Sequence, residues 1–173
     1  RGNRGAGIEA PLGENFAAGI LKLSGWEVRK PLLDPMCGSG TFLLEAAMVA
    51  LDMAPGYKRS FGFETLKNFE SHVWTKLKNQ AASKVKAVSF QKIYGSDVDL
   101  RAVRIAKQNL EEAGLLSAVQ LANVDMINAV PPADSGLLIA NPPYGVSIGD
   151  VVALAVVDPK VGRPLKRTFA GWT

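Results

Sequence analysis

Short strand-like runs and longer helix-like stretches of apolar residues alternate along this chain of 173 residues. Leu32 and Leu33 end a short apolar run, and Asp34 stops it. From Thr41 the pattern becomes helical, because apolar residues continue to Leu51 without an internal Gly or Pro. A strand, a Gly-rich turn and a helix in this order predict the first unit of a doubly wound α/β sheet, whose ligands bind at the carboxyl ends of the strands.

Three further stretches predict strands, and each ends in a polar side chain. The stretches cover residues 91–97, 119–125 and 136–141. Together with the first strand, the four polar ends are Asp34, Asp97, Asp125 and Asn141. Because the parallel strands of such a sheet share one carboxyl edge, we expect these side chains to converge although they are far apart in sequence.

Helical patterns flank these strands. Residues 11–26 predict a leading helix that Gly25 ends. Its predicted apolar side comprises Phe16, Ala17, Ile20, Leu21 and Leu23. An amphipathic helix is also predicted by apolar spacings of three and four residues, in a segment that a simple strand–helix–strand unit does not need. Its apolar positions are Phe63, Leu66, Phe69, Val73 and Leu77. Another helix follows the second strand, and Ser96 or Asp99 is expected to cap it.

The chain therefore reads as a single α/β domain of three layers with a mostly parallel, doubly wound sheet. Its predicted parts are a leading helix (1–30), the first strand, turn and helix (31–53), an inserted segment (54–90), the remaining strands (91–150) and an incomplete C-terminal part (151–173).

The composition limits the cellular compartment and the partners that are expected for this chain. Hydrophobic residues make up 47% and charged residues 21%, and no apolar run is long enough to cross a bilayer, so no membrane association is expected. The single cysteine, Cys37, cannot form an internal disulfide or a cysteine-based metal site, which fits a reducing cytoplasm. A net charge of +4 permits a nucleic-acid partner, but a mildly basic soluble enzyme fits equally well.

The Gly-rich turn indicates the charge of its ligand. Gly38 and Gly40 carry no Cβ, so a ligand can approach the backbone closely. The turn lacks the Gly and Lys pattern of a P-loop, and Asp34 before it would repel a pyrophosphate. A carboxylate suits a cationic amino group, and S-adenosylmethionine has an ammonium, a sulfonium and no phosphate. The alternative is a plain strand–turn–helix corner, because Gly-x-Gly alone is a weak signal.

The next two strand ends suit a nucleoside. A carboxylate at Asp97 can accept hydrogen bonds from both hydroxyls of a ribose, although it could instead cap a helix, the role assigned here to Asp99. Asp125 can accept a hydrogen bond from the exocyclic amine of adenine, with Val98 and Met126 on either side of the ring. The alternative for Asp125 is a solvated side chain at a strand end.

The Asn-Pro-Pro-Tyr sequence at 141–144 suits a second substrate that presents an exocyclic amine. The Asn141 amide oxygen and the Pro142 carbonyl can each accept one N–H, which directs the nitrogen lone pair toward an electrophilic methyl group. Tyr144 can stack on a base that has swung out of its helix or loop. Otherwise, Pro142 and Pro143 simply end a strand.

These motifs together resemble the class I, Rossmann-like methyltransferases that use S-adenosylmethionine to methylate amines. Within that class the chain is most similar to RNA guanine-N2 methyltransferases, especially the bacterial 23S rRNA enzymes, whose catalytic domain follows an RNA-binding THUMP domain. Further matches are Arg1-Gly-Asn-Arg, Pro11-Leu-Gly-Glu, Leu23-Ser-Gly-Trp, Ala54-Pro-Gly and Phe61-Gly-Phe-Glu. Because the family fold continues with more strands, a truncated C-terminal part is expected.

The resemblance implies a cofactor site and a target site. The cofactor residues that it implies are Asp34, Pro35, Cys37, Gly38, Ser39, Gly40, Thr41, Asp97, Val98, Asp125, Met126 and Asn141. The implied catalytic residues are Asn141, Pro142, Pro143 and Tyr144, and no metal is implied.

The expected reaction is direct transfer of a methyl group to N2 of a guanine in RNA, with 23S rRNA as the first choice. The alternatives are N6 of adenine in DNA or RNA, N2 of guanine in tRNA, and a protein glutamine, all of which use Asn-Pro-Pro-Tyr in the same way. A non-catalytic RNA-binding module is an alternative of another class. Several lysines of the inserted segment either contact RNA phosphates or form a solvated helix face. They are Lys67, Lys76, Lys78, Lys84 and Lys86.

Overall fold

The computed structural model describes residues 12–57, 59–141 and 167–173. Four parallel strands form one sheet in the order β3-β2-β1-β4. These strands are β1 (Leu32–Asp34), β2 (Ile93–Asp97), β3 (Val119–Asn123) and β4 (Leu137–Leu138). Leu33 aligns with Tyr94 on one side and with Leu138 on the other. The parallel α/β sheet confirms the predicted fold class, and it places all four carboxyl ends at one edge.

Four α-helices accompany the sheet in the described ranges. They are α1 (Glu14–Leu23), α2 (Thr41–Ala50), α3 (Ser71–Ala82) and α4 (Leu100–Ala113). Short 3-10 turns occupy Gly62–Thr65, Leu116–Ala118 and Met126–Asn128. Each of these helices is too short or too polar to span a bilayer.

The two faces of the sheet bury different side chains, because successive residues of a strand point to opposite sides. Leu32 and Ile93 lie in the main core, to which α1, α2 and α4 contribute. Leu33 lies on the other face, in a smaller cluster with Ala129 and Phe169. The helices α2 and α4 therefore cover one face, as expected for right-handed crossovers between neighbouring parallel strands.

The last residues of the chain extend the sheet beyond β4. Gly136 pairs in parallel with Trp172. The Leu138 N–H donates to the Thr173 carbonyl at 2.9 Å, and the Thr173 N–H donates to the Gly136 carbonyl at 3.1 Å. Residues 172–173 thus lie in the position of a fifth parallel strand.

Two predicted helices differ from the observed ones. Phe16 is 63% exposed and Leu23 is 89% exposed, so α1 packs through a narrower stripe than predicted, centred on Ala17 and Leu21. The predicted amphipathic helix begins only at Ser71, after the 3-10 turn Gly62–Thr65. The predicted apolar positions therefore belong partly to the turn and partly to the helix. The turn is separate because the Phe61 N–H donates to the Glu64 carboxylate at 2.8 Å and closes it.

The structure also shows which residues cap the elements that follow β2 and β3. The Asp99 carboxylate accepts from the Arg101 N–H at 2.8 Å, which confirms Asp99 rather than Ser96 as the cap of α4. The third strand was predicted to end in Asp125 but ends at Asn123. Asp125 instead caps the 3-10 turn that follows, since its carboxylate accepts from the Ile127 N–H at 3.0 Å.

Gly40 makes a testable contribution to stability. It precedes α2 with φ of 82°, and a Cβ there would lie 3.0 Å from the Cβ of Ala106. We expect Gly40→Ala to lower the free energy of unfolding by about 2–4 kcal/mol, measured by urea titration, because the left-handed backbone and the close packing both oppose a side chain. The control is Gly19→Ala, inside α1 with nothing within 4 Å of its Cβ position. It should raise the unfolding free energy by about 0.5–1 kcal/mol; equal effects of the two would contradict this account.

Candidate active site

Hydrogen bonds fasten the Gly-rich turn to the carboxyl end of β2. The Gly38 N–H donates to the Asp97 carboxylate at 3.0 Å. The Cys37 N–H donates to the Ser96 carbonyl at 2.9 Å, and the Gly40 N–H donates back to the Cys37 carbonyl at 2.7 Å. The turn and the end of the second strand, 59 residues apart in sequence, are therefore in direct contact.

The other side of the turn lies against α4. The Asn109 side-chain amide donates to the Ser39 carbonyl at 2.9 Å, and Gly40 leaves room for Ala106. Asn109 is not among the site residues predicted from the sequence. A signal was present, since Asn109 is a polar residue beside Ala102, Ala106 and Leu110, the buried positions of α4.

Asp34 lies beneath the turn rather than on its open surface. Its side chain is 2% exposed, and one carboxylate oxygen accepts from the Met36 N–H at 3.1 Å. Burial raises the pKa of Asp34 to about 8. The hydrogen bond from Met36 lowers the pKa, and the nearby Asp97 raises it further. A carboxyl group in this position gains most from a cation, because a nearby positive charge favours its ionised form.

Asp97 presents a carboxylate that the backbone already orients. One oxygen accepts from Gly38 and the other accepts from the Asp99 N–H at 2.9 Å. The Asn123 side chain donates to the Asp97 carbonyl at 2.8 Å, which ties the ends of β2 and β3 together. Each carboxylate oxygen has a second lone pair, so Asp97 can still accept bonds from two hydroxyl groups.

Asp125 lies two residues after the end of β3, and Asn141 lies three residues after the end of β4, which stops at Leu138 rather than at the predicted Asn141. Asp125 is half-buried, with half-buried Met126 beside it, and Val98 is 69% exposed. The Ile139 N–H donates to the Leu33 carbonyl at 2.9 Å, so the chain still runs beside β1 just before half-buried Asn141. Pro142, Pro143 and Tyr144 lie outside the described residues.

Cys37 is not an activated nucleophile. The thiol is buried. Burial, reinforced by the charges of Asp34 and Asp97, raises its pKa above the usual range of a cysteine. The Cys37 backbone, through its bonds to Ser96 and Gly40, therefore shapes the turn while the thiol stays protonated.

The sequence profile of the RMKL-like methyltransferase domain family matches residues 1–173. The chain belongs to this family. The curated Ribosomal RNA large subunit methyltransferase K/L of Shewanella baltica (strain OS185) is 45% identical over 178 aligned residues, which cover 99% of this chain and 25% of that protein. The chain thus spans about a quarter of the length of this relative.

Solved structures with clear sequence similarity have the same fold. SMU.472, described as a methyltransferase complexed with SAH, is 37% identical with a TM-score of 0.82, over 95% of this chain and 44% of that one. A protein from Listeria monocytogenes, whose name gives an N6-adenine-specific DNA methylase, is 32% identical with a TM-score of 0.81, over 96% of this chain and 44% of that one. The fold is therefore that of class I methyltransferases, as predicted.

Proposed function

We propose that this domain transfers a methyl group from S-adenosylmethionine to N2 of a guanine in the RNA of the large ribosomal subunit. One observation supports the proposal above others. The hydrogen bond from Gly38 to the Asp97 carboxylate joins the turn expected to hold the methionine part to the side chain expected to hold the ribose. The rRNA methyltransferases among the relatives supply the substrate class.

The residues present fit this cofactor. A cationic ammonium near Asp34 would offset the cost of burying its carboxylate, which otherwise stays largely protonated at neutral pH. The glycines at 38 and 40 let a ligand lie against the backbone of the turn. When bound, S-adenosylmethionine supplies an electrophilic methyl group on its sulfonium. Asp97 would orient the ribose, and Asp125 with Val98 and Met126 would surround the adenine.

The target amine is assigned to the end of β4. A guanine N2 amine is a weak nucleophile, because its lone pair is delocalised into the ring. The Asn141 amide oxygen and the Pro142 carbonyl would each accept one N–H, hold the lone pair toward the methyl group and stabilise the positive charge that develops on nitrogen. Tyr144 would stack on the extruded base.

A second candidate is methylation of adenine at N6, which the name of the Listeria protein favours. The same acceptors serve either amine, so the geometry of Asn141 does not separate the two.

The deciding experiment uses the full-length natural protein, isotopically labelled S-adenosylmethionine and unmodified rRNA, followed by mass analysis of the nucleosides. We expect label in N2-methylguanosine. Label in N6-methyladenosine would replace the proposed target with the second candidate. Binding of S-adenosylhomocysteine without any transfer to RNA or DNA would indicate a non-catalytic module or a protein substrate.

A further inference from the structure

We infer that residues 59–90 of the inserted segment form a second RNA contact at the edge of the sheet opposite the methyl-transfer site. The contact surface, called the insert surface here, comprises the exposed side chains of Lys67, Lys76, Lys84 and Phe63. The inference rests on the RNA substrate proposed above. It adds a second site at which the protein would hold that RNA, away from the target base.

The charge of the chain is concentrated in this segment. Residues 59–90 contain six Lys and Arg residues and two Glu residues, an excess of four positive charges. The net charge of the whole chain is +4, so the remaining residues carry no net charge. A positive surface on an otherwise neutral domain favours a polyanion, and phosphate contacts provide most of the sequence-independent affinity for nucleic acids.

Some cations of the segment have structural roles instead. The Lys86 ammonium donates to the Ala50 carbonyl at 3.1 Å, at the C-terminal end of α2, where a cation complements the helix dipole. The Lys78 ammonium lies over the Trp74 ring, 5.5 Å from its centroid. The other three lysines of the segment, all exposed, have neither an ion pair nor a contact of these kinds within ranges 12–57, 59–141 and 167–173. They are Lys67, Lys76 and Lys84.

The same segment contains a cluster of aromatic side chains. Phe61 and Phe63 stack with ring centroids 5.4 Å apart, and Trp74 meets both rings edge-on at 5.6 and 5.0 Å. The cluster is separate from both cores of the domain, and α3 buries none of its residues. Phe63 is 41% exposed and Leu66 is 65% exposed. An exposed ring in a segment that carries unpaired cations is typical of surfaces that bind single-stranded nucleic acid.

The position of the segment requires a long ligand. The Lys86 N–H donates to the Leu51 carbonyl at 2.9 Å, so the segment is anchored where α2 ends, whereas the Gly-rich turn lies where α2 begins. Ten helical residues separate the two ends by about 15 Å. About five stacked nucleotides cover that distance at roughly 3.4 Å each. A folded rRNA segment can therefore reach both places at once.

The test compares two triple variants of the full-length natural protein. Lys67→Gln, Lys76→Gln and Lys84→Gln remove three charges from the insert surface. The matched control removes three exposed charges elsewhere: Lys22→Gln, Arg29→Gln and Arg104→Gln. The probe is a labelled oligouridylate of about 20 nucleotides, titrated at salt concentrations from about 50 to 200 mM.

We expect the slope of log affinity against log salt concentration to become shallower by about 2 in the insert variant and to stay unchanged in the control, since each lost contact to a single strand removes roughly 0.7. In the single variant Lys76→Gln the slope should change by roughly a third of the amount expected for the triple insert variant. An unchanged slope in both insert variants would overturn the inference. Equal changes in the insert and control triples would also overturn it, because net charge alone would then explain the effect.

A second measurement separates this inference from the proposed function. Calorimetry with S-adenosylhomocysteine should give the same affinity, within about twofold, for the unaltered protein and both triple variants, because none of the six charges touches the turn. Absence of that binding in the unaltered protein would contradict the proposed function. Intact cofactor binding with an unchanged salt slope would exclude only the insert surface and leave the proposed function standing.

Discussion

Replacing Asn141 by alanine is expected to lower kcat for methyl transfer to RNA by about 10²–10³-fold, the usual effect of removing one group that stabilises a developing charge. The alanine cannot accept an N–H from the target amine, so the lone pair is no longer held toward the methyl group. Because that hydrogen bond strengthens only as positive charge develops, we expect the KM for RNA to change far less than kcat. Single-turnover transfer of labelled methyl groups measures the chemical step directly.

Two controls limit the interpretation of that result. Asn128→Ala removes an exposed Asn side chain from the 3-10 turn after β3 and should leave kcat within about twofold. The affinity of Asn141→Ala for S-adenosylhomocysteine should stay within about tenfold of the original. Unchanged turnover in Asn141→Ala would contradict the proposed role of Asn141, whereas an equal loss in Asn128→Ala would indicate a general disturbance of this edge.

The topology was predictable because its signals are local. Leu32–Asp34 and Ile93–Asp97 are short apolar runs that stop at a carboxylate, and this pattern alone places their ends at one edge once the strands are parallel. Proximity of Asp34 and Asp97 followed from the same reasoning, and the register of the sheet shows it, because Asp34 pairs with Gly95, two residues before Asp97.

Boundaries were less predictable, because they depend on contacts that a periodic pattern does not show. The spacing of Phe63, Leu66 and Phe69 is helical, yet the hydrogen bond between Phe61 and Glu64 closes a turn before α3 begins. Asp125 continues an apolar run, but its carboxylate caps the next turn and ends pairing two residues earlier. In each case a side chain competed with the regular backbone pattern.

The links between elements could not be inferred from the sequence. The contact of Asn109 with Ser39 joins residues 70 positions apart; Asn109 is a polar residue beside the buried positions of α4, but no local pattern specifies Ser39 as its partner. The pairing of Trp172 with Gly136 is equally remote. The roles of Asp97, Asp125 and Asn141 toward ligands stay predictions, although the fold brings their strand ends to one edge.

Replacing Asp34 by asparagine is expected to stabilise the cofactor-free protein and to weaken cofactor binding in the same variant. Burial raises the pKa of Asp34 from 3.8 to about 8, so the native state binds a proton that the unfolded chain releases. The free energy of unfolding of the original protein therefore falls as pH rises from about 4 to about 8. Asparagine keeps the acceptor for the Met36 N–H and does not titrate, so the variant lacks this loss.

The measurable quantity is the difference in unfolding free energy between the two proteins as a function of pH. We expect the advantage of Asp34→Asn to grow by about 2–4 kcal/mol between pH 4.5 and pH 7.5, close to the value that a shift of this size implies. Glu45, whose pKa burial raises to about 7, titrates in both proteins and cancels in the difference. A pH-independent difference would contradict the raised pKa of Asp34.

Cofactor binding should release the proton that Asp34 holds in the cofactor-free protein. If a bound ammonium favours the ionised carboxylate, S-adenosylhomocysteine must displace the proton of Asp34, so calorimetry at pH 6.5 in buffers of different ionisation enthalpy should detect release of up to one proton. Asp34→Asn should release none and bind about 10–100-fold more weakly, the range for loss of one charge-assisted contact. Equal proton release by both proteins would place the ammonium away from Asp34, since only a ligand that senses this carboxylate can shift its protonation.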